Sequence, residues 1–176
     1  MTRWTAFGPV SGVHTWCFET FMIVRPAESA DATAMSRILS EILESWQSDR
    51  PGDPDHVRAY YIEHPDSLAC TVAVAPNGRL KGFQSLKLAR QGNAYDLPAG
   101  WGVIGTYVSL CSGRKGVGSL LFSQTLEAAK RAGLSRIDAT IGKSNLAGRG
   151  YYSALGFRTW RDLPTATGKC LTLTPE

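Results

Sequence analysis

No run of apolar residues in this chain approaches the eighteen or so that a membrane span requires, and nowhere do Lys and Arg form a run of five or six. The first absence removes a membrane-spanning helix as the organising element. The second argues against nucleic acid as the main partner, because the 19 basic and 15 acidic residues leave a net charge of +4 that is scattered along the chain. Cysteine is scarce and dispersed. Cys17, Cys70, Cys111 and Cys170 form no C-x-x-C pair, and none joins a His at zinc-ligand spacing, so no metal site is indicated. Free thiols in a reducing cytosol are the simpler reading. The segment ahead of Met22 also reads as a poor secretory leader, since His14 and Glu19 interrupt it and no long apolar stretch follows Arg3. The expected location is therefore the cytoplasm. Repeats and low-complexity tracts are absent as well.

What is present is the composition of one folded domain, 176 residues with 43% hydrophobic and 19% charged side chains. A chain of that length buries roughly 70% of its unfolded surface, enough for a single core. Residues 1–21 have no clear periodicity and contain Gly8, Pro9 and Gly12, which reads as an extended arm ahead of a domain over residues 22–176; Met22 is an alternative start.

Phe21 to Val24 reads as a strand ended by Pro26, and Asp31 can cap a helix whose Met35, Ile38, Leu39, Ile42 and Leu43 recur at helical spacing up to about Trp46. A breaker-rich loop over 49–54 and a short helix from Asp55 to Glu63 follow. Leu68 to Ala75 and Leu80 to Leu88 form a hairpin around Pro76-Asn77-Gly78, then comes a loop over 91–100 and a strand from Val103 to Leu110. The helix from Val117 to about Arg131 places Leu120, Leu121 and Ala128 on one face and stops at Gly133. Ile137 to Ile141 is a strand, Asn145 to Leu155 a helix, and Phe157 to Trp160 with Cys170 to Leu173 close the sheet. The order β-α-α-β-β-β-α-β-α-β-β predicts an α/β fold: a mixed sheet with helices on both faces.

The turn between the strand at 103–110 and the helix at 117–131 carries glycine at 113, 116 and 118. A helix start leaves its first N–H groups unpaired, glycine removes the Cβ atoms that would hold an anion away, and Arg114 and Lys115 add full charges, so the turn suits phosphate. Spacing narrows the ligand. A dinucleotide fingerprint from Gly116 needs glycine where Leu121 stands, and a phosphate loop ending at Gly142-Lys143-Ser144 needs glycine where Ile137 stands. Both fail.

Val108-Ser109-Leu110-Cys111-Ser112-Gly113-Arg114-Lys115-Gly116-Val117-Gly118 resembles the acyl-CoA signature of the GNAT superfamily of N-acetyltransferases. The family places Gln or Arg at the first signature position, here Gly113, a departure that removes no backbone donor. Downstream, Asn145-Leu146-Ala147 and Tyr152-Ser153-Ala154-Leu155-Gly156-Phe157 resemble its second motif, so the likeness runs from about Met22 to Trp160. It implies a GNAT-like fold with a mostly antiparallel sheet, acetyl-CoA as cosubstrate without a metal, and transfer to a small-molecule or peptide amine; dimerisation is a family tendency. On this resemblance the strand from Val103 splays from its parallel neighbour, and the backbone of Thr106, Tyr107 and Val108 pairs with the pantetheine arm. Gly113, Arg114, Lys115, Gly116, Val117, Gly118 and Ser119 hold the phosphates, with Asn145 beside the pantetheine.

The amine would attack the thioester directly, with no covalent enzyme intermediate. Tyr152 holds the family position of the acid that protonates the departing thiolate, and a phenol with a pKa near 10 keeps its proton at neutral pH. Many relatives carry a Glu base on the strand entering the signature, yet nothing from Trp101 to Cys111 is acidic. Asp138, Glu63 and His64 stay open as relays, and Cys111 lacks a partner base. Trp46, Tyr60, Tyr61 and Tyr95 are candidates for the acceptor wall, with Asp49, Asp53 and Asp55 either favouring a cationic amine or merely solvated. The missing carboxylate suggests one alternative, a non-catalytic acyl-CoA-binding module.

Overall fold

The computed structural model describes residues 22–173, so the arm expected over residues 1–21 lies outside them. The order of elements matches the sequence reading: β1 (Ile23–Pro26), α1 (Ala32–Ser45), α2 (Pro54–Val57, continued by a π turn over Arg58–Ile62), β2 (Ser67–Val74), β3 (Leu80–Leu88), β4 (Gly102–Val108), α3 (Val117–Arg131), β5 (Arg136–Gly142), α4 (Leu146–Ala154), β6 (Arg158–Asp162) and β7 (Ala166–Thr172). The strands make one sheet in the order β1-β2-β3-β4-β5-β7-β6. Every neighbouring pair is antiparallel except β4 and β5. Side chains alternate between the two faces of a sheet, and two cores result. α1 buries Met35, Leu39 and Ile42 with Val72, Phe83 and Tyr107 on one face. Phe122, Ala129 and Tyr152 from α3 and α4 pack with Leu86, Ile104 and Ile137 on the other. Among the described residues no helix is long and apolar enough to cross a membrane, and Cys70, Cys111 and Cys170 are free thiols.

Local expectations needed correction where tertiary contacts outweigh local signals. Asp31 stands at the N-cap position of α1, but its side chain does not cap the helix. A 3-10 turn, Ser29–Asp31, precedes the helix, and the Asp31 carboxylate turns back to accept the Glu28 N–H at 2.8 Å and to hold the Arg25 guanidinium at 2.7 and 2.9 Å. Pro26 belongs to β1, which tolerates it because β1 is an edge strand. α2 begins one residue early, at Pro54, because Asp53 accepts the His56 N–H at 2.9 Å and proline suits the first helical position. β4 stops at Val108, and Leu110 starts a 3-10 turn with 61% of its surface exposed. Leu120 faces solvent at 43%, because the buried stripe of α3 runs through Val117, Leu121, Phe122, Thr125 and Ala128. β7 reaches back to Ala166: its Thr167-Gly168-Lys169 start carries little apolar signal but is buried between β5 and β6.

Candidate active site

β4 lies against β3 along its whole length, from Gly82↔Val108 to Leu88↔Gly102. Toward β5 it is paired at two positions only, Gly102↔Ile137 and Val103↔Asp138. β5 meanwhile stays on β7 from Arg136↔Thr172 to Gly142↔Ala166. The parallel pair therefore opens after Val103 into a wedge, and the stretch that holds Thr106, Tyr107 and Val108 has a strand on one side only. Its gap-facing N–H and C=O groups lack a ladder partner, and an extended ligand with amides of its own can supply one.

The open strand leads into the glycine-rich turn. Gly116 has φ of +78°, a conformation glycine adopts freely, and α3 begins at the next residue without a side-chain cap. The N–H groups of Gly116, Val117, Gly118 and Ser119 find no acceptor among the described residues; the first bond of the helix is Leu120 N–H to the Gly116 carbonyl at 3.0 Å. These donors converge where the macrodipole favours negative charge. Arg114 and Lys115 are both exposed beside them, and Arg114 itself sits at φ of +59°, uncommon for a residue with a side chain. Gly118 serves a purpose that its place in the turn did not announce. A Cβ there would lie 2.7 Å from Cε2 of Tyr151, so this glycine clears an aromatic ring of α4.

That ring opens a hydrogen-bond chain. The Tyr151 hydroxyl donates to the Gly118 carbonyl at 2.8 Å and therefore can only accept from the fully buried Gln84, whose Nε2 approaches at 3.2 Å. The same Nε2 donates to Thr106 Oγ1 at 2.7 Å, and Thr106 Oγ1 lies 2.8 Å from the Tyr152 hydroxyl. With Gln84 donating to it, the Thr106 hydroxyl has its own hydrogen available for Tyr152 Oη. When Thr106 donates there, the Tyr152 proton is left free to point elsewhere. Tyr152 is 6% exposed, and burial pushes its phenol well above the ordinary value, offset only in part by the Thr106 bond. Asn145 caps α4, its Oδ1 accepting the Gly148 N–H at 2.8 Å.

On the other face, Tyr107 lies along β4, its ring stacked on Phe83 and its hydroxyl accepting from Tyr61 at 3.1 Å. The Tyr60 and Tyr95 hydroxyls meet at 2.5 Å. Lys87, 7% exposed, places Nζ 3.2 Å from the Tyr60 ring centroid. Burial drives the Lys87 ammonium below its usual pKa. Burial also acts to raise Tyr60, but the Tyr95 hydrogen bond and the Lys87 charge outweigh it and leave that phenol below the ordinary value. Of the three relay candidates, Asp138 alone is at the root of the wedge. It is fully buried, accepts Trp160 Nε1 at 2.7 Å and the Thr140 hydroxyl at 2.9 Å, and burial pushes its carboxyl upward. Glu63 is exposed and accepts from the Ser29 hydroxyl, and His64 Nδ1 accepts the Asp66 N–H at 3.1 Å, with burial lowering its pKa. Cys111 is exposed and touches only the hydroxyls of Ser109 and Ser112, which lower its thiol pKa; no base is in contact. Trp46 is 45% exposed and pairs with Arg50.

The family model for the GNAT acetyltransferase family matches residues 35–157, most of the chain. The chain belongs to the GNAT acetyltransferases. Solved structures share the fold across nearly their full length. The yncA protein of Salmonella typhimurium, solved with its cofactor acetyl-CoA, superposes with a TM-score of 0.74 at 24% identity, covering 88% of this chain and 95% of its own. A GCN5-related N-acetyltransferase from Kribbella flavida gives 0.74 at 22%, covering 86% and 98%. PaiA N-acetyltransferase from Thermoplasma acidophilum, in complex with coenzyme A, gives 0.68 at 17%, covering 87% and 99%. No curated protein sequence gives a significant match.

Within this GNAT domain the sequence reading missed Gln84, Tyr151 and Lys87. Lys87 and Gln84 look like ordinary polar positions of a strand, yet both are buried because sheet neighbours and helices cover β3 on both faces. Asp53 and Asp55, weighed as recognition groups for a cation, are occupied instead: Asp53 caps α2, and Asp55 pairs with Arg58 at 2.8 Å on the surface. Asp49 is exposed.

Proposed function

We propose that the protein transfers the acetyl group of acetyl-CoA to the nitrogen of a small-molecule or peptide amine, by direct attack without a covalent enzyme intermediate. One observation carries the reading: the pairing of β4 with β5 ends at Val103↔Asp138, and the open strand runs straight into the unpaired N–H groups of Gly116 to Ser119. A diphosphate fits those donors, with Arg114 and Lys115 at its rim, and the pantetheine amides fit the free edge of Thr106 to Val108. The yncA and PaiA structures hold acetyl-CoA and coenzyme A, which supports the same ligand here.

The thioester then lies in the wedge with the Tyr152 network on one side and the Tyr107 face on the other. A neutral amine adds to the carbonyl, the C–S bond breaks, negative charge collects on sulfur, and the attacking nitrogen gives up one proton to solvent, from which Tyr152 is later reprotonated. Because burial raises the Tyr152 pKa, the phenol stays protonated and donates to that sulfur. Holding both partners in line supplies much of the acceleration.

The test is release of free CoA thiol from acetyl-CoA across a panel of amines, beside calorimetry with coenzyme A. Binding heat with acceptor-dependent thiol release is expected. Tight binding without turnover on any amine would make the domain an acyl-CoA-binding module, and absence of heat would remove the reading altogether.

A further inference from the structure

The face of the wedge opposite Tyr152 carries positive charge with little to balance it. Lys87 pairs with Val103 across β3 and β4, and Val103 with Asp138 across the last rung before the gap, so all three share a face in one row. Lys87 is a buried residue whose ammonium lies over the Tyr60 ring and donates only to the Tyr60 carbonyl, at 3.4 Å. No carboxylate among the described residues lies within ion-pair distance of it. Arg50, on the loop joining α1 to α2, lies over the Trp46 ring with Tyr107 and Tyr61 as electrostatic neighbours, and likewise has no acidic partner among them. Arg161 enters from β6, donates to the Tyr95 carbonyl at 2.9 Å, and keeps its buried Nε without a partner.

The acids nearby are already committed. Asp138 accepts from Trp160 and Thr140 and stands 4.0 Å from Arg161, Asp66 is held by Arg90 at 2.7 Å, and Glu63 accepts from Ser29. Burying an ammonium without a counter-ion is unfavourable, and the deficit is made good when an anion arrives.

We infer that the acceptor is an amine that also carries a carboxylate, and that Lys87 and Arg50 hold this carboxylate on the α1 face of the wedge. The inference rests on the acetyl-transfer reading above and names its substrate class. It also accounts for a reaction without a strand carboxylate as base. The cations that attract the acid group repel an ammonium at the other end of the same molecule, so the acceptor is favoured as the free amine, its proton left with solvent before attack. Tyr60, Tyr61 and His64 from the segment after α2 and Tyr95 from the loop before β4 add no negative charge while they stay protonated or neutral.

The experiment measures thiol release at saturating acetyl-CoA with free amino acids, each matched to its carboxamide, and calorimetry with coenzyme A alongside. At least one free acid is expected to exceed its amide about ten-fold in kcat/KM, mainly through KM. Lys87→Met, which conserves volume, should narrow that ratio toward one, and the solvent-exposed Arg50→Gln repeats the test should the buried change impair folding. Amides that match or exceed the acids overturn the inference, as does a preference that survives both substitutions. Turnover of simple amines alone, with no amino acid accepted, also overturns it but leaves acetyl transfer standing; no heat with coenzyme A removes the acetyl-transfer reading instead.

Discussion

Substituting Gln84 tests the mechanism away from the reacting atoms. Gln84→Met keeps the side-chain volume and deletes both Nε2 donors, to Thr106 Oγ1 at 2.7 Å and Tyr151 Oη at 3.2 Å. It also deletes Gln84 Oε1, a buried acceptor with no partner, so the net cost in stability is expected to stay below about 1.5 kcal/mol. Without Gln84, the Thr106 hydroxyl no longer has a reason to donate toward Tyr152 Oη; it accepts the Tyr152 proton equally well, which turns that proton away from the sulfur. A bias set by one neutral hydrogen bond is worth about 0.5–1.5 kcal/mol, so kcat should fall about three- to ten-fold with KM for acetyl-CoA little changed. Tyr152→Phe removes a hydrogen bond to a developing anion, worth about 1.5–3 kcal/mol, or roughly ten- to 150-fold in kcat. Steady-state thiol release for the wild type, both single variants and the double variant completes the cycle. In the Tyr152→Phe background Gln84→Met should do nothing further. Multiplication of the two effects would refute the orientation argument, and unchanged turnover in Tyr152→Phe would remove the tyrosine from the mechanism.

Gly118→Ala would put a methyl group 2.7 Å from the Tyr151 ring, and overpacking of this kind costs about 1–3 kcal/mol; thermal unfolding should show it together with weaker coenzyme A binding, because the ring is displaced against the helix start. A variant of native stability and affinity would count against that packing. The Arg25–Asp31 pair gives a pH signature. The Arg25 hydrogen bond, against the opposing effect of burial, holds the Asp31 carboxyl below the usual carboxylate range, so its stabilisation is complete above the unfolded value of about 3.9 and is lost as pH falls through the folded one. With the arginine side chain 37% exposed, solvent screening keeps the contribution under about 1 kcal/mol. Urea midpoints of wild type and Arg25→Leu should therefore differ at pH 7 and draw together below about pH 4; a gap that is constant with pH would assign the effect to packing.

The parts of this molecule legible in its sequence are those fixed by near neighbours. Gly116 before α3 and Gly133 just past its end, both at positive φ, mark a helix expected from Val117 to about Arg131 and found at Val117–Arg131. The β2–β3 hairpin around Asn77-Gly78 is equally local. What could not be read depends on which distant residues meet. Asp31 looked like a cap until Arg25 of β1 competed for it. Lys87 is buried by Tyr60, from the segment after α2, and Gly118 answers to a ring 33 positions later. The roles expected of Asn145 and Tyr152 follow from motif resemblance and that of the turn over 113–118 from its own glycines, whereas Gln84 has no motif and is found only by laying β3 on β4.

That register is what joins the two halves of the site. Gln84 pairs with Thr106 and Phe83 with Tyr107, so successive residues of β4 turn to opposite faces: Thr106 toward Tyr152, Tyr107 toward Tyr61. The gap toward β5 lies between these faces, and a ligand in it is reached by the donor chain from one side and by the cationic, phenol-lined wall from the other. Moving β4 by one residue would exchange them, placing Tyr107 against α4 and Thr106 under α1. The observed register needs Gly82, since a Cβ there would sit 2.8 Å from the Tyr107 carbonyl oxygen and force β3 and β4 apart. The chemistry proposed for the wedge thus depends on an antiparallel pairing whose own residues need never touch the substrate.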